Sequence, residues 1–419
     1  MKKRLILVLV IVLFILGISR GEETDLLTLG DSPHRKQIGK VEQDRILETA
    51  TNRRVTMEEI IANTPDTRVY IIGETHTSYD CHTFQRDFIR CLFQHYPRLV
   101  IGLEFFDRKD DPTLDRWRLG EISEEDLLLS TGWFARQSYH YGYTRMIMNL
   151  IRKHRIRVIG LNIPRQILRR VSRGGFQVLS DGEKSLFPTI DEPNPDHRFL
   201  IKRIFGAFAA QVPAWFERIY SSQKMWDVVM AESMIAALEK YPDHKGVIIA
   251  GNFHVIYRLG IPFRYRLSRE NTPITTLVPS YIQEDPINGE GEENPMVRLM
   301  AKSLSPVAVF SRGIGDYVFS TSKANDDYFR KIGIKGEMRD GKFTVRKVTS
   351  GSAAEEYGIR EDDIIETVMD GEITSIQDFE LSMYRYFGKQ ELRFGIKRMG
   401  KIPSPSSKQD PDSAQSNER

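Results

Sequence analysis

Val69-Tyr70-Ile71-Ile72-Gly73-Glu74-Thr75-His76 and, far along the chain, Val247-Ile248-Ile249-Ala250-Gly251-Asn252-Phe253-His254 share one design: an apolar run ending in Gly-x-x-His. Two further runs, Leu99-Val100-Ile101-Gly102-Leu103 and Val158-Ile159-Gly160-Leu161, end in Glu104 and Asn162. None of the four alternates apolar with polar residues, so each reads as a strand buried on both faces. With helical stretches between them they predict an α/β fold, a mainly parallel sheet with helices on both faces and a helical insertion. In open sheets of this kind ligands bind beyond the carboxyl ends of the strands. The sequence gathers Glu74, His76, Glu104, Asn162 and His254 at that edge. Glycine at a strand end permits a sharp turn and close backbone approach, so a histidine three residues on can reach back over the sheet.

The 419 residues, 40% of them hydrophobic, suffice for a large core and more than one domain. Met1-Lys2-Lys3-Arg4 followed by the apolar run from Leu5 to Ile18 joins a basic start to a segment shorter than the roughly 17–25 residues of a membrane span. That suits a secretory signal over residues 1–21, with Ser19-Arg20-Gly21 predicting cleavage before Glu22. An uncleaved anchor, with membrane association through this segment, is the alternative. No cysteine follows the run, which excludes a lipoprotein anchor there. Removing residues 1–21 takes away four basic residues and no acid, changing the formal charge from +3 to −1. Nothing then suggests a nucleic-acid footprint, which needs clustered Lys and Arg. The expected location is periplasmic or otherwise at the cell envelope.

Cys81 and Cys91 are the only cysteines. On one helix they would stand about 15 Å apart, too far for a disulfide, so they read as separate thiols.

Along the chain, residues 22 to about 40 read as a polar, irregular, mobile lead-in. Thr56 with Glu59 has the form of a capping box, a helix is expected over about 80–95, and Ser123 caps another. Tyr143 to His154 reads as helix, 181–194 as a Pro- and Asp-rich loop, and 196–240 as long helical stretches. Gly289 to Asn294 is an acidic excursion. Asp316-Tyr317-Val318-Phe319-Ser320-Thr321 reads as the final strand of a first domain over 41–322. A second module fills 325–400, and 401–419 has the composition of a disordered tail.

The first domain resembles the ChaN-like haem-binding uptake family of the Tiki superfamily. The resemblance is carried by Gly73-Glu74-Thr75-His76, Gln85, Gly102-Leu103-Glu104-Phe105-Phe106, Gly132-Trp133, Gly160-Leu161-Asn162-Ile163-Pro164, Gly251-Asn252-Phe253-His254 and Tyr257-Arg258-Leu259-Gly260-Ile261-Pro262, in family order. It implies a haem-binding α/β domain serving haem or iron acquisition. Residues 325–400 resemble a small, mainly-β bacterial PDZ domain through Lys331-Ile332-Gly333-Ile334, Ser350-Gly351-Ser352-Ala353-Ala354, Gly358-Ile359, Asp362-Asp363-Ile364-Ile365 and Asp370-Gly371. That resemblance implies a loop, Lys331, Ile332, Gly333 and Ile334, that captures the C-terminus of a peptide or protein partner.

Two classes of function stay open. As a haem or iron binder, the domain would draw ligand contacts from Glu104, Asn162, Tyr141 and Tyr257, since haem iron accepts Tyr or His. The cluster Tyr139, His140, Tyr141 and Tyr143 has packing as its ordinary explanation. As a metal-dependent hydrolase, His76, His254 and Glu104 would ligate Zn²⁺ or Mn²⁺, with Glu74 as general base. Each histidine also has a bland reading as a hydrogen-bonded residue orienting a loop. A third possibility leaves the α/β domain as a scaffold for the PDZ module.

Overall fold

The computed structural model describes residues 24–137, 140–185, 187–282, 307–322, 332–386 and 392–398. The chain divides into two compact units, Met1–Arg330 and Lys331–Arg419.

In the first unit the strands are β1 (Ile38–Glu42), β2 (Ile46–Glu48), β3 (Arg53–Val55), β4 (Val69–Glu74), β5 (Leu99–Asp107), β6 (Arg157–Asn162), β7 (Lys245–Gly251), β8 (Ile274–Tyr281), β9 (Val307–Ser311) and β10 (Tyr317–Thr321). Eight of them form one sheet in the order β3-β2-β10-β8-β4-β7-β5-β6. From β10 to β6 every pairing is parallel; β2 and β3 add an antiparallel edge. β1 and β9 pair separately. The four runs singled out in the sequence are the adjacent strands β4, β7, β5 and β6. The continuous Val/Ile/Leu content of the inner strands follows from burial on both faces, all six residues of β4 being buried, whereas β6, at the sheet's edge, is only half-buried at Arg157, Ile159 and Asn162.

Helices flank the sheet as the caps dictate. Thr56 and Glu59 close a full capping box on Met57–Asn63, and Ser123 with Asp126 does the same for Glu124–Ser130. Tyr79–His95 carries Cys81 and Cys91, both free and buried. The insertion after β6 runs through Arg165–Gly174 to the helices Pro195–Gln211 and Pro213–Lys240. The Pro- and Asp-rich stretch holds a short helix, Asp181–Lys184, capped by Ser180.

The expected mobile lead-in is instead an anchored strap. Tyr257 donates its hydroxyl hydrogen bond to the Thr24 carbonyl at 2.6 Å, and Ser280 donates to the Asp25 carboxylate at 2.8 Å. Polar composition concealed this because the anchoring atoms are backbone and one buried carboxylate.

The second unit is a small sheet with β11 (Ile334–Arg339), β12 (Lys342–Val348), β13 (Ile364–Val368) and β14 (Gly371–Glu372) in that order, and β15 (Phe394–Lys397) on β13. Phe343, Val345, Ile365, Val368 and Phe379 form its core. The N-terminal apolar run, Gly289 to Asn294 and 401–419 lie outside the described residues. Among the described residues no helix is long and apolar enough to cross a membrane.

Candidate functional site

Because β4, β7, β5 and β6 are neighbours, their carboxyl ends bring Glu74 with His76, Gly251 with His254, Glu104 and Asn162 to one edge. The two Gly-x-x-His turns touch each other. A Cβ on Gly73 would fall 2.4 Å from Oδ1 of Asn252, and one on Gly251 would fall 3.3 Å from Cε1 of His76. Each glycine therefore makes room for the opposite turn. Gly251 has an ordinary φ of −52°, so the close approach of His76, not left-handed geometry, favours glycine there.

Each imidazole is held from behind by a buried carboxylate. Nδ1 of His76 lies 2.7 Å from Oε1 of Glu74, whose other oxygen accepts from the Gln85 amide at 3.0 Å. His82, wholly buried, places Nδ1 3.6 Å from Glu74 and Nε2 3.1 Å from the His76 carbonyl. Nδ1 of His254 lies 2.6 Å from Oδ1 of Asp227, a residue with 0% exposure in the middle of the helix Pro213–Lys240. In front of both rings stands Glu104. Its Oε1 is 3.7 Å from Nε2 of His254, and its Oε2 accepts the Gly251 N–H at 2.7 Å. Asn162 donates from Nδ2 to the Glu104 carbonyl at 2.8 Å.

Electrostatics follow from these partners. Burial works against charge on Glu74, yet the His82 and His76 imidazoles and the Gln85 amide hold its carboxyl below the usual range. Burial likewise opposes charge on His76, but the Glu74 hydrogen bond, Glu104 and the Glu74 charge raise it to about 9. His254 is also raised: burial and His76 oppose the proton, and Asp227 and Glu104 outweigh them. For both His76 and His254 the neighbouring carboxylates thus favour the protonated ring.

Above the sheet edge is a cleft of about 130 Å³. His76 and Glu104 lie at its floor, with Phe105, Ile163, Leu168 and Trp226 as apolar walls. Arg136 also lines it and is ion-paired to Asp107 at 2.9 Å and Asp110 at 2.6 Å.

His76, Glu104 and Asn162 line the cleft, and His254 meets it through Glu104. The metal-ligand set is a different matter. Among the described residues no group of three or more His, Cys, Asp or Glu side chains is arranged to hold a metal ion. In the pairings that are present, both Nδ1 atoms face carboxylates and one Glu104 oxygen is held by the Gly251 N–H. Glu74, expected as a general base, is 2% exposed and backs His76 instead of facing the cleft. Gln85 reaches the site only through Glu74. Tyr141 packs edge-on against Trp133 at 5.0 Å, and Tyr143 lies 5.6 Å from the His82 ring. Tyr257 is wholly buried beneath the strap. Tyr141 and Tyr257 are not among the cleft's lining residues, and His140 is not either. Tyr139 and Lys331 lie outside the described residues.

Reading the sequence missed Asp227, Gln223, His82 and His197. A signal existed for the first: Asp227 is the lone charge in Met225-Trp226-Asp227-Val228-Val229-Met230, a position that a buried helix face would otherwise give to an apolar residue.

Residues 60–264 match the family described as haem-binding uptake, Tiki superfamily, ChaN. A solved structure of cofacial haem binding to ChaN of Campylobacter jejuni is similar at 16% identity and a TM-score of 0.47, covering 65% of this chain and 95% of that one. An erythromycin esterase mutant, EreC, in its open conformation is similar at 12% identity and a TM-score of 0.39, covering 68% and 97%. No curated protein sequence matches the chain.

Proposed function

We propose that the ChaN-like domain at residues 60–264 binds haem at the sheet edge, in the service of haem or iron uptake at the cell envelope, and that the second unit docks a partner's C-terminus. The observation that carries the haem reading is the family match, which spans His76, Glu104, Asn162 and His254. The donor chemistry fits the group. His76, its side chain 32% exposed, offers an imidazole once its ligating nitrogen gives up a proton, and Phe105, Ile163, Leu168 and Trp226 suit an apolar macrocycle. A cleft of about 130 Å³ is below the roughly 300–1,000 Å³ that encloses a drug-sized ligand, so haem would be only partly taken in. Haem supplies the iron; the chain's residues bind and orient it. Haem titration of the chain from residue 22 onward should give a saturable Soret shift that His76→Ala weakens. Unsaturable adsorption, unchanged in that variant, overturns the reading.

The docking reading is supported by Ile332, Gly333 and Ile334 at the start of β11, an edge strand packed by the helix Ile376–Arg385. Gly333 has φ +89°, and a Cβ there would fall 2.1 Å from Oγ of Ser352, so no other residue fits that turn. Binding of peptides with free C-termini but not of their amidated forms is the expected result. Equal binding of both forms counts against it.

A second reading of the cleft is favoured by the carboxylate behind each histidine. In it, the charged imidazoles donate protons while Glu104 accepts one from water attacking an ester or related carbonyl. Ester hydrolysis lost in Glu104→Gln and His254→Gln would support it; no turnover of any ester tested would set it aside.

A further inference from the structure

We infer that Asp227 is the positioning residue of the cleft, fixing His254 with its proton on Nδ1 and its Nε2 turned toward Glu104. The inference rests on reading the strand edge as the binding site, whichever ligand that site takes. A carboxylate 2.6 Å from Nδ1 requires a proton between the two atoms, because two lone pairs at that distance repel. The Gln223 amide nitrogen, a donor, lies 2.8 Å from the same nitrogen and 3.3 Å from Nε2; with the Nδ1 proton given to the carboxylate, the amide donates to the lone pair on Nε2 instead. With Nδ1–H so committed, a neutral ring has Nε2 as its acceptor, 3.7 Å from Glu104.

The place of Asp227 is constructed by residues remote in sequence. A Cβ on Gly260 would fall 2.4 Å from the His254 carbonyl and 2.9 Å from Oδ1 of Asp227, so only glycine leaves the carboxylate where it is. Behind Asp227, Oδ2 lies 3.4 Å from Nε2 of the wholly buried His197. Asn194 holds that histidine's helix start, accepting the His197 N–H at 2.9 Å and donating to the Leu259 carbonyl at 3.0 Å. The charged and titratable groups acting on His254 include Asp227, Glu104 and His76, with His197 behind Asp227. Those acting together with Asp227 are His197, Arg264 and Tyr220. Burial pushes His197 down to about 4, against the opposing pull of Asp227. Together these form a buried support that the cleft itself does not reveal.

The test reads the tautomer directly. The full chain is labelled with ¹⁵N-histidine, and side-chain ¹H–¹⁵N correlations are recorded without haem at alkaline pH, where His254 is neutral; His254→Gln assigns the signal. The parent should show His254 in the Nδ1–H form. Asp227→Ala should lose that form in favour of Nε2–H, Asp227→Glu should restore it in part, and Gly260→Ala, which leaves the carboxylate present but displaced, should diminish it. A parent His254 in the Nε2–H form overturns the inference, whether or not any variant folds. So does an unchanged tautomer in Asp227→Ala and Gly260→Ala accompanied only by a lower melting temperature, the signature of a purely structural aspartate. Because haem is absent from the measurement, failure of haem binding leaves this result standing.

Discussion

Glu104 accepts the backbone N–H of Gly251 at 2.7 Å, so the carboxylate that faces His254 also ties β5, three residues before its end, to the end of β7. One side chain thus serves both the site and the sheet. Glu104→Ala leaves that N–H without its acceptor and should cost about 1–3 kcal/mol, whereas Glu104→Gln keeps an oxygen there and should cost less. Urea melts of the two variants decide the point. Equal losses would place the effect in charge and not in the hydrogen bond.

His76 makes stability depend on pH in a defined window. Its pKa rises from 6.5 to about 9 on folding, so its protonated form stabilises the fold fully below 6.5. That contribution is lost as pH rises through about 9. The stability difference between the parent and His76→Gln should therefore shrink steadily across this interval. A flat difference would show that His76 carries no raised pKa.

Gly160 on β6 leaves no room for a side chain: a Cβ would fall 2.2 Å from the Asp107 carbonyl. Gly160→Ala should cost about 1–3 kcal/mol through backbone displacement at the β5–β6 junction. Thermal melts measure this. A neutral substitution would mean that the two strand ends separate freely.

The second unit has its own core around Phe343 and Phe379, whose rings stack at 4.3 Å. A fragment covering 324–400 should therefore unfold in one cooperative transition by circular dichroism. A gradual, featureless melt would argue that this unit needs the rest of the chain.

Much of the α/β architecture is legible in the sequence, because strands buried on both faces write themselves as unbroken runs of Val, Ile and Leu. The juxtaposition of His76, Glu104, Asn162 and His254 follows from the rule that parallel strands present their carboxyl ends together. The support behind them was harder to see. Asp227, His82 and His197 act through burial and contact across long sequence separations, and local periodicity carries no record of which helix face meets which loop. The tyrosines near Trp133 had a composition suited to ligand contact; Tyr141 lies edge-on to Trp133 at 1% exposure, a burial that its local sequence does not announce. The strap at Thr24 and Asp25 was misread for the same reason: its partners, Tyr257 and Ser280, lie more than two hundred residues away.

That strap and the edge strands carry a consequence for how the chain comes to be folded. Asp25 meets Ser280, β1 lies against β9, and Ile46 of β2 pairs with Phe319 of β10. The residues made first during synthesis thus find their partners among the last of the unit to emerge from the ribosome. Closing such loops is entropically slow, and topologies rich in non-local pairing fold late. Until about residue 320 is out, β8 lacks its β10 neighbour and the nascent chain presents an open sheet edge. The same arrangement that seals the finished sheet delays its completion until β10 has emerged, and a chain truncated before β10 would leave β2 and β3 without the strand that joins them to the sheet.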